Sequence, residues 1–127
     1  MGTLLIADDR EEIRYLLQEV LEGSGHTVLT AAGGEETLQT LKQAQVDLIL
    51  LDMKMNGMDG LETLKAIKKT WPAVAVIMMT ACEDEGLLRE TVRWGAGGYI
   101  QKPFDLAEVQ STVAAELLSR ADLSALS

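Results

Sequence analysis

The sequence predicts a doubly wound α/β domain built on a five-stranded parallel sheet in the order 2-1-3-4-5. Three observations lead there. Five short apolar runs recur along the 127 residues, and each is followed by a stretch of helical periodicity. Strict β-α alternation calls for right-handed crossovers, which lay helices on both faces of a parallel sheet. The first, third and fourth runs are nearly continuous in apolar residues, as strands covered on both faces are. The order 2-1-3-4-5 puts those three in the centre.

Thr3–Ala7 (TLLIA) reads as the first strand. Ile13, Leu16, Leu17, Val20 and Leu21 then recur at helical spacing on one face, and Gly23 and Gly25 end that helix. Thr27–Ala31 (TVLTA) is more mixed, which suits an edge strand. Leu38 and Leu41, after Gly33-Gly34, mark a shorter second helix. Asp47–Leu51 (DLILL) is the third strand, and Leu61, Leu64 and Ile67 mark a helix stopped before Pro72. Val74–Thr80 (VAVIMMT) is the fourth strand. A helix from about Asp84 to Trp94 follows, with Leu87, Leu88, Thr91 and Val92 inward and Gly95 just past its end. Gly98–Gln101 (GYIQ) is the second edge. Asp105 and Glu108 form a capping-box-like pair that starts the last helix, whose stripe is Leu106, Val109, Val113 and Leu117. One domain is expected over residues 1–119, with 120–127 a frayed tail or the start of a linker.

Composition narrows the function. The formal net charge is -9, from 20 acids against 11 bases, the wrong sign for a nucleic-acid footprint. No apolar run is long enough to span a membrane, and MGTLLIADDR has neither the basic region nor the long apolar stretch of a signal peptide. Cys82 stands alone, so neither a disulfide framework nor a cysteine metal cluster is expected, and a cytoplasmic protein is. Of the acids, 11 fall in the first 60 residues beside only 4 bases.

In a doubly wound sheet, ligands bind at the carboxyl ends of the strands near the switch point between strands 1 and 3. Those ends carry Asp8 and Asp9, Asp52, Thr80 and Lys102. Taken singly, each has an ordinary reading. Asp8 or Asp9 would cap the first helix, Asp52 would be a turn acid, Thr80 a strand-end residue and Lys102 a surface lysine. Taken together, three carboxylates, a hydroxyl and an ammonium converge on one rim. Three close acids raise one another's pKa unless a cation compensates, and Mg²⁺, a hard ion that favours one or two carboxylates and phosphate, fits. The set suits phosphoryl transfer, with Asp52 as nucleophile, Asp8 and Asp9 as metal ligands, Lys102 as a second positive point and Thr80 as a donor to the new phosphate.

IADD at 6–9, LLDMKMNGMDGLE at 50–62, MMTA at 78–81 and GAGGYIQKPF at 95–104 resemble the receiver domain of bacterial two-component response regulators, over about residues 3–118. The resemblance implies the flavodoxin-like (βα)5 fold. It also implies that Asp52 is the phospho-acceptor, charged by a histidine kinase or a histidine phosphotransfer protein. Mg²⁺ would be held by Asp8, Asp9, Asp52 and the backbone carbonyl of Lys54. The backbone at Met53 and Ala81 would contact the phosphoryl group together with Lys102. Thr80 would move to bond it, and Tyr99 would rotate inward, biasing the surface of helix 4, strand 5 and helix 5. Pro103 would follow a cis peptide. Kinase-side partners would dock on Arg10, Ile13, Pro103 and Phe104, and a downstream phosphotransfer or effector partner would read the switched face. The domain would be a monomer or a phosphorylation-linked dimer.

The sequence departs from the family in places. Asn56 stands where the family usually has proline, which implies a looser loop, although Asn56-Gly57 still supports a turn. Gly97-Gly98 would loosen the edge strand that carries Tyr99. Lys54 and Cys82 sit two residues past Asp52 and Thr80, where the family tunes hydrolysis of the acyl phosphate; Lys54 would screen it from water. His26 reads as a surface residue, Trp71 and Trp94 as covers of core edges, the six methionines as core filler, and Lys65, Lys68 and Lys69 as a solvated face. The main alternative is a small aspartyl-phosphate phosphohydrolase with Asp52 as nucleophile. Such enzymes usually carry two aspartates two apart on the first strand, whereas Met53 and Lys54 follow Asp52 here. A nucleotide module is unsupported, because no glycine-rich phosphate motif occurs.

Overall fold

The computed structural model describes residues 2–81 and 84–126, with side chains described through Ser119. Its elements alternate as expected: β1 (Thr3–Ala7), α1 (Glu11–Gly23), β2 (Thr27–Ala31), α2 (Gly34–Gln43), β3 (Leu48–Asp52), α3 (Gly60–Thr70), β4 (Ala75–Thr80), α4 (Glu85–Arg93), β5 (Gly98–Gln101) and α5 (Leu106–Leu126). All neighbouring strands pair in parallel, in the order β2-β1-β3-β4-β5. The helical backbone of α5 runs on to Leu126, past Ser119 where an irregular tail was expected.

Successive strand residues point to opposite faces, so the sheet builds two cores. Leu5, Ala7, Ile49, Leu51, Val76 and Met78 pack on one side with Leu41 of α2 and Leu64 and Ile67 of α3. Leu4, Ile6, Leu48, Leu50, Ile77, Met79 and Ile100 pack on the other with Leu17 and Leu21 of α1 and Val109 and Val113 of α5. β3 and β4 are buried along their whole length, which accounts for their continuous apolar runs.

Helix boundaries follow local chemistry. Asp59 caps α3 by accepting from the Glu62 amide at 2.9 Å, and Asp84 caps α4 by accepting from Gly86 and Leu87. Asp105 accepts from the Ala107 amide at 2.8 Å at the start of α5. Gly25 and Gly95, both at φ 98, occupy the left-handed turns after α1 and α4.

Three sequence expectations change. Periodicity places Leu16 on the apolar face of α1 and Val92 inward on α4, but Leu16 is 38% and Val92 58% exposed. Lys68, read as part of a solvated face, donates its ammonium to the carbonyls of Val74 (2.6 Å) and Pro72 (3.3 Å) and ties α3 to the entry of β4. Of the tryptophans, Trp71 packs against the core, whereas Trp94 is exposed beneath the Lys65 ammonium, 5.2 Å from its ring centre. His26 is half-buried and its Nδ1 accepts from the Gly2 amide. Cys82 lies outside the described residues.

Candidate functional site

β1, β3 and β4 end on the same rim, and the next residues carry the acids there. Asp52 is the last residue of β3, and Asp8 and Asp9 follow β1 directly. The Asp8 amide still pairs across to the Ala31 carbonyl (3.2 Å) and the Met53 amide to the Met79 carbonyl (2.9 Å), so the sheet ladder holds both turns. The Lys102 amide donates to the Thr80 carbonyl at 2.7 Å, which sets the lysine beside β4. The Lys102–Pro103 peptide is cis.

The side chains converge. The Lys102 ammonium donates to Asp8 Oδ2 at 3.0 Å and to Asp52 Oδ1 at 2.9 Å. Asp8 is fully buried; its Oδ1 accepts from the Arg10 amide at 2.9 Å, and Arg14 Nη1 donates to its carbonyl at 2.7 Å. The capping reading of Asp8 and Asp9 gives way here, because Arg10 occupies the N-cap of α1 and caps nothing with its side chain. Asp9 Oδ2 accepts from the Asn56 amide at 3.1 Å. Carboxylate oxygens of Asp8, Asp9 and Asp52 lie within 4.8 Å of one another, so the cluster could hold a metal ion. Burial raises the Asp52 carboxyl above its ordinary range; the Lys102 hydrogen bond opposes this, and the charges of Asp8 and Asp9 add to the rise.

An open cavity of about 290 Å³ leads to Asp52, lined among others by Lys54, Thr80, Ala81 and Lys102. Thr80 is buried at its edge. Tyr99, on β5, is 51% exposed and sits away from this cavity. A second, more apolar groove of about 470 Å³ adjoins it, bringing together Arg10, Ile13, Pro103 and Phe104. Leu16 lines the same groove, which accounts for its exposure.

Two contributors escaped the sequence reading. Gly60 brings α3 so close to the turn after β3 that a Cβ there would lie 2.4 Å from the Asp52 carbonyl oxygen and 2.7 Å from Met53 Cα. The Asp-Gly pair at 59–60 was the available signal, an N-cap followed by a residue without a side chain. The Asn56 amide is the other, and a backbone donor leaves no trace in residue type.

Around this site the chain is similar to known proteins along nearly all its length. Residues 4–114 match the family model described as the response regulator receiver domain. Sporulation initiation phosphotransferase F of Bacillus subtilis is 40% identical over 110 residues, covering 87% of this chain and 89% of that one. The DNA-binding transcriptional regulator NtrC of Escherichia coli is 39% identical over 112 residues, but the chain spans only 24% of its length. Among solved structures, the chemotaxis protein CheY4 of Vibrio cholerae superposes with a TM-score of 0.86 at 30% identity, covering 91% of this chain and 98% of that one. These relatives do not favour the phosphohydrolase alternative. With the acids, the lysine and the threonine on one rim of a 2-1-3-4-5 sheet, the chain belongs to the response regulator receiver domain family.

Proposed function

We propose that the chain is the phospho-accepting switch of a two-component or phosphorelay pathway, with Asp52 as the acceptor. The observation that carries this is the Asp52 carboxylate itself, buried at a strand end, bonded to Lys102, beside Asp8 and Asp9 and facing an open cavity. An Asp52 oxygen attacks the phosphorus of a phosphohistidine; the P–N bond breaks, its electron pair stays on the imidazole nitrogen, and an acyl phosphate remains. Lys102, already spanning Asp8 and Asp52, is positioned to neutralise phosphoryl oxygens, with the Met53 and Ala81 backbone and the Thr80 hydroxyl as further partners.

The all-oxygen donor set suits Mg²⁺, which Asp8, Asp9, Asp52 and the Lys54 carbonyl would hold. When bound, it supplies positive charge to the transferring group. Thr80 and Tyr99 then form the switch: Thr80 bonds the phosphate and Tyr99 leaves its exposed position, biasing the α4-β5-α5 face. The domain is a signalling module that promotes its own phosphorylation and dephosphorylation rather than a turnover enzyme.

The groove at Arg10, Ile13, Pro103 and Phe104 is the docking face for a histidine kinase or histidine phosphotransfer protein, adjacent to the acceptor. The downstream partner is a phosphotransfer protein or an effector, in the cytoplasm; among the described residues no helix is long and apolar enough to cross a membrane. Residues 1–119 form the receiver and 120–127 its C-terminal extension. Incubation with a small-molecule phosphodonor and Mg²⁺, read by intact mass, tests the proposal. One phosphoryl adduct is expected on the wild type and none on Asp52→Asn. An unmodified wild type, or an adduct retained by Asp52→Asn, would overturn it.

A further inference from the structure

The loop after the acceptor reaches back to the acid cluster through a contact that the switch reading does not use. The Asn56 N–H donates to Asp9 Oδ2 at 3.1 Å, joining positions 47 residues apart. Among the described residues this is the one hydrogen bond made by the Asp9 carboxylate, whereas Asp8 is held by Lys102 and the Arg10 amide, and Asp52 by Lys102. The donor sits between a core residue and a turn glycine. Met55, just before it, is buried in the core, and Gly57, just after it, takes the left-handed turn at φ 79. Proline, usual at this loop position in the family, has no N–H and cannot make this bond. The substitution that suggested a looser loop therefore supplies a tie.

We propose that the Asn56 backbone amide is a positioning group for Asp9, fixing its carboxylate near those of Asp8 and Asp52 before a divalent cation arrives. This rests on the reading of the cluster as a Mg²⁺ site. Without the tie, Asp9 is free to swing into solvent, and cation binding has to order it. Freezing one such side chain corresponds to an affinity change of about 3- to 10-fold.

The test compares wild type, Asn56→Pro and Asn56→Ala, titrated with Mg²⁺ by calorimetry without phosphodonor. Asn56→Pro lacks the donor and is expected to bind Mg²⁺ about 3- to 10-fold more weakly, whereas Asn56→Ala keeps the N–H and is expected to match the wild type. With phosphodonor, Asn56→Pro should need proportionately more Mg²⁺ for half-maximal phosphorylation yet reach the wild-type rate at saturation. A merely structural role would instead depress the saturated rate. Equal affinity in Asn56→Pro and wild type, or equal weakening in Asn56→Ala, overturns the inference and leaves the acceptor role of Asp52 intact. No Mg²⁺ binding by the wild type overturns the inference together with the reading of the cluster as a Mg²⁺ site. Should Asn56→Pro fail to fold, amide hydrogen exchange decides: Asp9→Ala must accelerate exchange at the Asn56 N–H in metal-free protein, and an unchanged rate overturns the inference.

Discussion

Replacing Gly60 with alanine tests whether the close approach of α3 sets the acceptor turn. The added Cβ would stand 2.4 Å from the Asp52 carbonyl oxygen, 2.7 Å from Met53 Cα and 2.9 Å from the Met53 oxygen. All three are backbone atoms, so no side-chain rotation relieves the overlap. Reaching ordinary contact near 3.4 Å requires α3 or the acceptor turn to move by about 1 Å. That movement also strains the Gly60 amide bond to the Met53 carbonyl, at 2.9 Å in the native fold. Overpacking of this kind costs about 1–3 kcal/mol and a weakened hydrogen bond about 1 kcal/mol, against at most about 1 kcal/mol gained from alanine's helix propensity. A net loss of about 2 kcal/mol is expected by urea denaturation. Because the shift falls on Asp52 itself, phosphorylation by a small-molecule donor should slow by about 10- to 100-fold. Gly23→Ala is the control: nothing lies within 4 Å of its added Cβ, so it should be neutral or slightly stabilising. A Gly60→Ala protein as stable as Gly23→Ala and phosphorylated at the wild-type rate would refute the reasoning.

Lys102→Met removes the cation shared by Asp8 and Asp52, and metal-free protein at neutral pH should lose about 2–3 kcal/mol in denaturant titrations; added Mg²⁺ should restore part of it. The raised Asp52 pKa has a definite sign in linkage. The folded state holds this proton more tightly than the unfolded state, so the associated stability is present below the ordinary value of 3.8 and is lost as pH rises through the folded value. Metal-free wild type should therefore lose stability relative to Asp52→Asn across that window, and a constant difference would exclude burial as the cause. Asp59→Ala removes the α3 cap and should cost about 1 kcal/mol by thermal or urea unfolding, with little effect on phosphorylation at saturating Mg²⁺.

Much of this was legible in the sequence for an identifiable reason. A strand buried on both faces must be apolar throughout, so β3 and β4 announced themselves, and the residues ending them could be placed on one rim. Periodicity was less informative about where burial stops. It showed that Leu16 and Val92 share a face with core residues, but not how wide an arc the sheet covers, and both lie outside that arc. Lys68 looked solvated because a side chain that bonds the carbonyls of the following loop has the same composition as one in water. The Asn56 and Gly60 contacts depend on backbone atoms, whose neighbours are known only once the loop is folded.

Lys102 has a consequence for how much electrical signal the switch can send. With every group ionised, Asp8, Asp9, Asp52 and Lys102 together carry two negative charges, the amount one divalent ion cancels. A doubly charged phosphoryl group on Asp52 replaces one negative charge by two, so the occupied site changes by a single unit. Seen by a partner across the domain, more than a Debye length away in ordinary salt, one unit is a faint field. What a partner detects must then be a shape, made by the new demand for donors around three phosphoryl oxygens, and the message should survive high ionic strength.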